Sequence, residues 1–374
     1  DIHWTQPALV AEVEYACWTT DKLIRQSTFQ GLREDKPLAE IVYDPEKLPI
    51  ATAAAADPPP ARFAPAAQPA ARLRDGSIMF EGVRLSHPDR ALYVDTGLTK
   101  QAVAQYYVDV AGWALPHLAY RPLTIIRSTS GKGQRAFYQK HVGAGMPKQI
   151  KGYTVAGEDE PFPIIEDVSG LIALVQMGVV EIHPWGSTVR DVEHPDRITF
   201  DLDPDEGLPW QHVIEAAIDV REALDAIGLR SFVKTTGGKG LHVVVPLRPQ
   251  LAPELDWDAV KTFAKWVAER MHEERPDQFT ANMSKQERRG RIYLDYLRNS
   301  RGATAVGAYS PRERAGTPVS TPLSWEEVES GVPPTAFTVA TIPARLAALE
   351  VDPWAEIGEA RQTVAAKVRK HIGI

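Results

Sequence analysis

The sequence predicts a mixed α+β fold built around a split βαβ sheet with helices on one face. Three observations carry this reading: apolar runs of strand length, amphipathic runs of helix length, and their order of strand, helix, strand, strand, helix, strand between residues 198 and 297. At 374 residues, 44% hydrophobic and 24% charged, the chain has room for two or three domains and ample core. It has no apolar run long enough to span a membrane and no secretory signal. Cys17 is the only cysteine, which excludes an internal disulfide and a cysteine-built zinc site and fits a reducing cytoplasm. A net charge of −7 does not advertise a nucleic-acid binder. Its distribution matters more: no acid falls between Asp109 and Glu158, whereas Arg121, Arg127, Lys132, Arg135, Lys140, Lys148 and Lys151 do, a run that makes a local positive surface.

Residues 1–44 read as short strands, with Ala8 to Tyr15 alternating and Leu23-Ile24-Arg25 following a turn. Residues 45–75 are Ala- and Pro-rich, lack the periodicity of a core and read as a linker. Residues 76–374 form the main domain. Thr99 caps a helix from Lys100 to about Leu115, ending before Pro116, with Val103, Tyr106, Val110 and Trp113 at helical spacing. Leu123 to Arg127 is a strand leading into Ser130-Gly131-Lys132-Gly133, and Leu171–Val175 and Val179–His183 follow as apolar segments. After the strand Ile198–Asp203, the stretch from Trp210 to Ile227 is amphipathic. Strands Phe232–Thr235 and Leu241–Val245 flank a glycine-rich turn, a helix covers Trp257–Met271, and the strand through Asp295 completes the unit.

Chemistry concentrates in three places. Asp201 and Asp203, two apart on a strand, aim their carboxylates at one side, and Asp295 interrupts a comparably apolar run, Ile292 to Leu297. An isolated Asp-x-Asp more often just ends a strand; the apolar approach and the third acid favour a site for hard divalent cations instead. An EF-hand is excluded, because Glu206 and His212 stand where that loop needs Gly and Glu. In Thr235-Thr236-Gly237-Gly238-Lys239-Gly240-Leu241-His242 the glycines let backbone N–H groups approach an anion, although an ordinary hairpin with an exposed lysine fits equally well. It is not a P-loop. Arginines 288, 289, 291, 298 and 301 flank Asp295, and Phe137-Tyr138 interleaves with Arg135 and Lys140 in a pattern able to stack a base beside a phosphate.

With these residues in view, positions 78–350 resemble the polymerase domain of bacterial ATP-dependent DNA ligase D, of the archaeo-eukaryotic primase superfamily. The resemblance rests on Asp201-Leu202-Asp203, on the Gly-Lys-Gly-Leu-His run ending at His242, on Leu294-Asp295 continuing to Thr304, and on Pro318 to Trp325. It implies a primase-polymerase fold with an RRM-like catalytic sheet and an N-terminal α/β subdomain. It also implies that Asp201, Asp203 and Asp295 hold Mn²⁺ (or Mg²⁺) and act in catalysis, and that His183, Thr236, Lys239, His242 and Arg298 contact the incoming nucleotide. Arg90 and Lys100 match two cations that bind a DNA 5′-phosphate, with His87 standing where the family commonly has Asn; Arg127, Phe137 and Tyr138 fall at the template and recessed end. Trp4 to Val13 and Phe29 to Lys36 resemble the end of a ligase oligonucleotide-binding (OB) domain, a short all-β remnant with no Lys-x-Asp-Gly nucleophile before it.

The implied activity is extension of a primer 3′-hydroxyl with NTP or dNTP at 5′-phosphorylated breaks or gaps, in non-homologous end joining. The implied partners are DNA, nucleoside triphosphates and the bacterial Ku protein. A metal-dependent phosphoesterase could use the same acids, and a non-catalytic DNA-end-binding module would need only the basic residues.

Overall fold

The chain divides into two compact units, Asp1–Arg62 and Phe63–Ile374. The computed structural model describes the backbone of four strands in the first unit, and residues 72–128 and 136–374 of the second. Residues 45–71 of the linker expected over 45–75, and the turn Ser130–Gly133, lie outside the described residues. In the first unit β1 (Ala11–Glu14) pairs antiparallel with β4 (Thr28–Leu32), and β2 (Cys17–Trp18) with β3 (Ile24–Arg25).

The second unit opens with two small hairpins, β5 (Ile78–Phe80) with β6 (Val83–Leu85) and β7 (Ala91–Tyr93) with β8 (Leu98–Thr99). Helix α1 (Lys100–Leu118) follows, its first turn closed by the Thr99 hydroxyl accepting from Ala102 N–H. It runs one turn beyond its expected end and carries Pro116 inside. A proline removes a single backbone donor, and the buried His117 and Leu118 make the last turn part of the core. Strands β9 (Leu123–Arg127), β10 (Phe137–Gln139) and β13 (Val179–Pro184) form a three-stranded antiparallel sheet in the order β10-β9-β13. Between them lie the hairpin of β11 (Lys151–Tyr153) and β12 (Phe162–Ile164), and α2 (Val168–Gln176). The Leu171–Val175 run is thus helical; it is buried almost all round, which removes the polar stripe that would mark a surface helix.

The central sheet has six strands in the order β17-β18-β14-β16-β15-β19. Strand β14 (Arg197–Pro204) lies in the middle, antiparallel to β16 (Leu241–Pro246) on one side and β18 (Ile292–Asp295) on the other. Strand β15 (Phe232–Thr235) joins β16, β17 (Phe279–Thr280) runs parallel to β18, and β19 (Pro322–Leu323) closes the far edge. Helices α3 (Trp210–Asp225) and α4 (Trp257–Glu274) connect these strands. Both bury one apolar stripe, Val213, Ala217, Val220 and Leu224 on α3 and Val260, Phe263, Val267 and Met271 on α4, in one core with Phe200 and Leu202 of β14. Short helices α5 (Trp325–Glu329), α6 (Ile342–Ala348) and α7 (Ala366–Ile372) complete the chain. The strand expected to run to Leu297 stops at Asp295, and Leu297–Asn299 form a single 3₁₀ turn. No helix among the described residues is long and apolar enough to cross a membrane.

Candidate active site

Strand pleating decides where the acids point. Phe200 and Leu202 of β14 are fully buried, so Asp201 and Asp203 face the other way. Asp201 stands directly opposite Asp295 of β18 on one side and His242 of β16 on the other, and His242 is opposite Lys234 of β15. Directly paired residues share a face, so Asp295, Asp201, His242 and Lys234 form one row across four strands. Two acids therefore sit beside two bases that sequence separates by up to 61 positions.

Side-chain cations neutralise the acids. Arg298 Nε lies 3.3 Å from Asp201 Oδ2 and 3.2 Å from Asp295 Oδ2, bridging the pair. Asp203 is held by Arg288 at 2.7 Å and Lys239 at 3.2 Å. His242 Nε2 faces Asp201 at 3.3 Å, and its Nδ1 is enclosed without a partner. Burial raises the Asp201 carboxyl, but the charge and hydrogen bond of His242 together with Arg298 outweigh it and leave the group well below the usual range. Burial dominates at Asp295, whose pKa is raised, and it drives His242 down to about 4, helped by Lys234. Among the described residues, no three His, Cys, Asp or Glu side chains stand together as a metal-ligating group. The donor set is all carboxylate oxygen, which suits a hard divalent cation, and arginine and lysine now supply the compensating charge.

The glycine-rich turn is built by Thr236. Its hydroxyl donates to Gly240 O at 3.1 Å and accepts from Gly238 N–H at 3.2 Å. Gly240 is obligatory, since a Cβ there would lie 2.1 Å from Leu202 O. Gly237 has φ +66°, and its missing side chain makes room for Arg312. Arg312 in turn donates to Thr236 O at 2.6 Å. Lys239 does not project freely from this turn: its ammonium contacts Pro204 O and Asp203.

His183 lies on β13, its Nε2 donating to Glu181 Oε2 at 2.8 Å. Glu181 also accepts from Arg312 Nε at 2.8 Å and Glu313 N–H at 3.0 Å. Burial would raise Glu181, but the His183 hydrogen bond and the Arg312 charge bring it down to about 2. A cavity at the basic end of the row is lined by Lys234 and His242 themselves, with Trp185, Arg197, Trp257 and Arg298.

The expected 5′-phosphate residues lie elsewhere on this unit, in a corner formed by the His87–Arg90 turn and the start of α1. Lys100 N–H donates to Arg90 O, and Gln101 N–H to Pro88 O. Lys100 is 4% exposed, and its ammonium donates to Ser86 O and to Gln176 Oε1. Burial, with Arg90 nearby, lowers its pKa to about 8. Phe137 and Tyr138 are exposed on β10, with the Arg127 guanidinium 5.4 Å from the Phe137 ring centre.

Sequence reasoning missed Glu181, Lys234 and Asn299 as site residues. Glu181 and Lys234 interrupt apolar runs and Asn299 sits in a polar one, and in neither setting do local patterns separate a buried polar group from an exposed one. Asn299 is 2% exposed; its amide accepts from Thr199 N–H at 2.8 Å and donates to Thr199 O and Tyr296 O, both at 2.9 Å. It takes over from β18, whose ladder with β14 begins only at Asp201, and it fixes the turn carrying Arg298.

Residues 99–354 match the profile of the primase-polymerase domain of LigD, and residues 1–36 that of the C-terminal region of ATP-dependent DNA ligases. The chain is 36% identical, over its whole length, to the multifunctional non-homologous end joining protein LigD of Pseudomonas aeruginosa, and spans 43% of that protein. It is 30% identical over 274 residues to the bifunctional non-homologous end joining protein LigD of Bacillus subtilis, a match over 73% of this chain and 44% of that one. In three dimensions it resembles the polymerase domain of Mycobacterium tuberculosis ligase D, solved in complex with DNA. The TM-score is 0.66 at 30% sequence identity, over 75% of this chain and 99% of that one.

Proposed function

The chain belongs to the LigD primase-polymerase family, and from that premise we propose that it is a nucleotidyltransferase of end joining, extending a primer 3′-hydroxyl with NTP or dNTP at 5′-phosphorylated breaks or gaps. The observation that carries the reading is the row Asp295, Asp201, His242 and Lys234, with Asp203 on the same face: an acidic centre flanked by bases and by the Thr236–Gly240 turn. The strand order β18-β14-β16-β15 supports a split βαβ, RRM-like catalytic sheet. On this reading residues 1–44 are the end of a ligase OB domain, 45–75 a linker and 76–374 the primase-polymerase domain.

Asp201, Asp203 and Asp295 would hold divalent ions, Mn²⁺ or Mg²⁺, whose charge would activate the attacking hydroxyl and offset that of the departing pyrophosphate. Arg298 and Arg288, which now neutralise these acids, would be free to turn to the nucleotide's phosphates once metal takes over. Thr236, Lys239, His242 and His183 would contact the incoming nucleotide. The residues' work is positioning and charge stabilisation, with no covalent intermediate. Arg90, and Lys100 once its ammonium turns outward, would bind the 5′-phosphate, while Phe137, Tyr138 and Arg127 would meet the template end. Ku is a partner by family analogy alone.

The test is primer extension with Mn²⁺ on a gapped duplex, with and without a downstream 5′-phosphate, beside Asp203→Ala. Extension by the unmodified chain alone, stronger with the phosphate, supports the proposal. Shortening of the primer would instead identify a phosphoesterase, and binding without addition an end-binding module.

A further inference from the structure

Glu181 is a buried acid that the proposed chemistry does not use. It is 4% exposed and gathers donors from two segments: His183 on its own strand, and the side chain of Arg312 and backbone of Glu313 from the loop that follows β18 and the 3₁₀ turn. Two of those donors meet on one oxygen, Oε2. An ionised carboxylate only accepts, so the His183 nitrogen facing it carries a proton. Burial, with Arg312 and Lys234 nearby, keeps the imidazole neutral, although Glu181 itself favours the charged form. A neutral imidazole has one N–H, and here that N–H is spent on Glu181. Nδ1 is therefore a bare acceptor, and it has no hydrogen-bond partner among the described residues. An acceptor in this place refuses phosphate and carboxylate oxygens and takes an O–H or N–H donor, and the donors a nucleotide's sugar offers are its hydroxyls. Arg312, meanwhile, is fixed at two points, by Glu181 through Nε and by Thr236 O through Nη1.

We propose that Glu181 is a positioning residue of the nucleotide site: it fixes the tautomer of His183 so that Nδ1 accepts a hydrogen bond from a sugar hydroxyl of the bound nucleoside triphosphate. The inference rests on the reading of His183 as a nucleotide-pocket residue. It goes beyond that reading in naming which group of the nucleotide His183 meets and which residue makes it able to do so.

Calorimetric titration of the full chain with ATP, 2′-deoxy-ATP and 3′-deoxy-ATP tests it, with Glu181→Gln and His183→Gln beside the unmodified protein. A glutamine at 181 can present either an oxygen or an amide N–H and no longer dictates the tautomer. A glutamine at 183 can still donate to Glu181 but offers no acceptor where Nδ1 stood. The unmodified chain should bind ATP more tightly than whichever analogue lacks the hydroxyl that Nδ1 meets. Each substitution should weaken ATP binding by about tenfold and abolish the difference between ATP and that analogue, the loss of one good hydrogen bond. Loss confined to the 2′-deoxy comparison assigns O2′, and loss confined to the 3′-deoxy comparison assigns O3′. ¹⁵N spectra of the histidines in the nucleotide-free protein should show His183 as the Nε2–H tautomer.

Discrimination that survives in either folded variant, no discrimination in the unmodified protein, or an Nδ1–H imidazole overturns the proposal. Should Glu181→Gln fail to fold, as circular dichroism would reveal, His183→Gln and the ¹⁵N spectra decide. Primer extension run in parallel separates the two readings: hydroxyl discrimination by a chain that cannot extend a primer removes the polymerase and leaves this assignment standing.

Discussion

Replacing Asn299 by alanine tests how the site's arginine is held. The substitution removes three hydrogen bonds, and two of them serve the backbone of Thr199, which is 8% exposed. No strand residue can replace them, because the β14–β18 pairing starts two residues later, at Asp201. The Thr199 N–H and C=O are then orphaned, at about 1–3 kcal/mol each, so a loss of about 3 kcal/mol is expected once relaxation and entering water are allowed for. In a unit of this size that lowers the melting temperature by roughly 4–5 °C. The turn that presents Arg298 loosens at the same time, so nucleotide KM should rise more than kcat falls. Asn299→Asp is the sharper variant. It keeps an acceptor for Thr199 N–H but turns oxygen lone pairs toward two carbonyls, and should destabilise at least as much at neutral pH while recovering on acidification. Urea unfolding followed by tryptophan fluorescence measures the change. A loss under about 1 kcal/mol for Asn299→Ala would refute the claim that this amide substitutes for a strand.

Gly240→Ala should cost about 3 kcal/mol or more and abolish nucleotide binding, because its Cβ would lie 2.1 Å from Leu202 O, a backbone atom between Asp201 and Asp203; chemical denaturation and nucleotide titration check this. Arg298→Ala leaves the directly opposed Asp201 and Asp295 without their shared cation, so Mn²⁺ affinity in the absence of nucleotide should rise about fivefold, roughly 1 kcal/mol, as read by electron paramagnetic resonance. The acid limb of stability is set partly by Glu181 and Asp196, each held at about 2: burial pushes both up, but His183 and Arg312 outweigh it at Glu181, and Arg121 and Arg197 at Asp196. Their folded pKa values lie below those of the unfolded chain, so the unfolded state binds more protons, and stability falls as pH drops from about 4 toward 2. Asp196→Asn should flatten that fall in pH-dependent unfolding while lowering stability at neutral pH.

Much of the fold was legible locally. The Thr99 cap, the stripe Val103–Tyr106–Val110 and the strands of the central sheet are short-range patterns, because helix and strand periodicities are properties of neighbouring residues. Asp201 and Asp203 share a face for the same reason. The all-apolar Leu171–Val175 helix and the passage of α1 through Pro116 were not legible, since burial on every side overrides both periodicity and proline.

The site's electrostatics came only from tertiary structure. Nothing near Asp201 in the chain announces that Asp295 and His242 flank it, that Arg298 bridges two acids, or that Lys239 turns back to Asp203. Nor does the run Val179–His183 reveal that Glu181 is tied to an arginine 131 residues away. Sequence by itself determined which side of each strand carries charge. Which charges meet was decided by strand register, because cross-strand neighbours a few ångströms apart are set by the packing of the whole sheet.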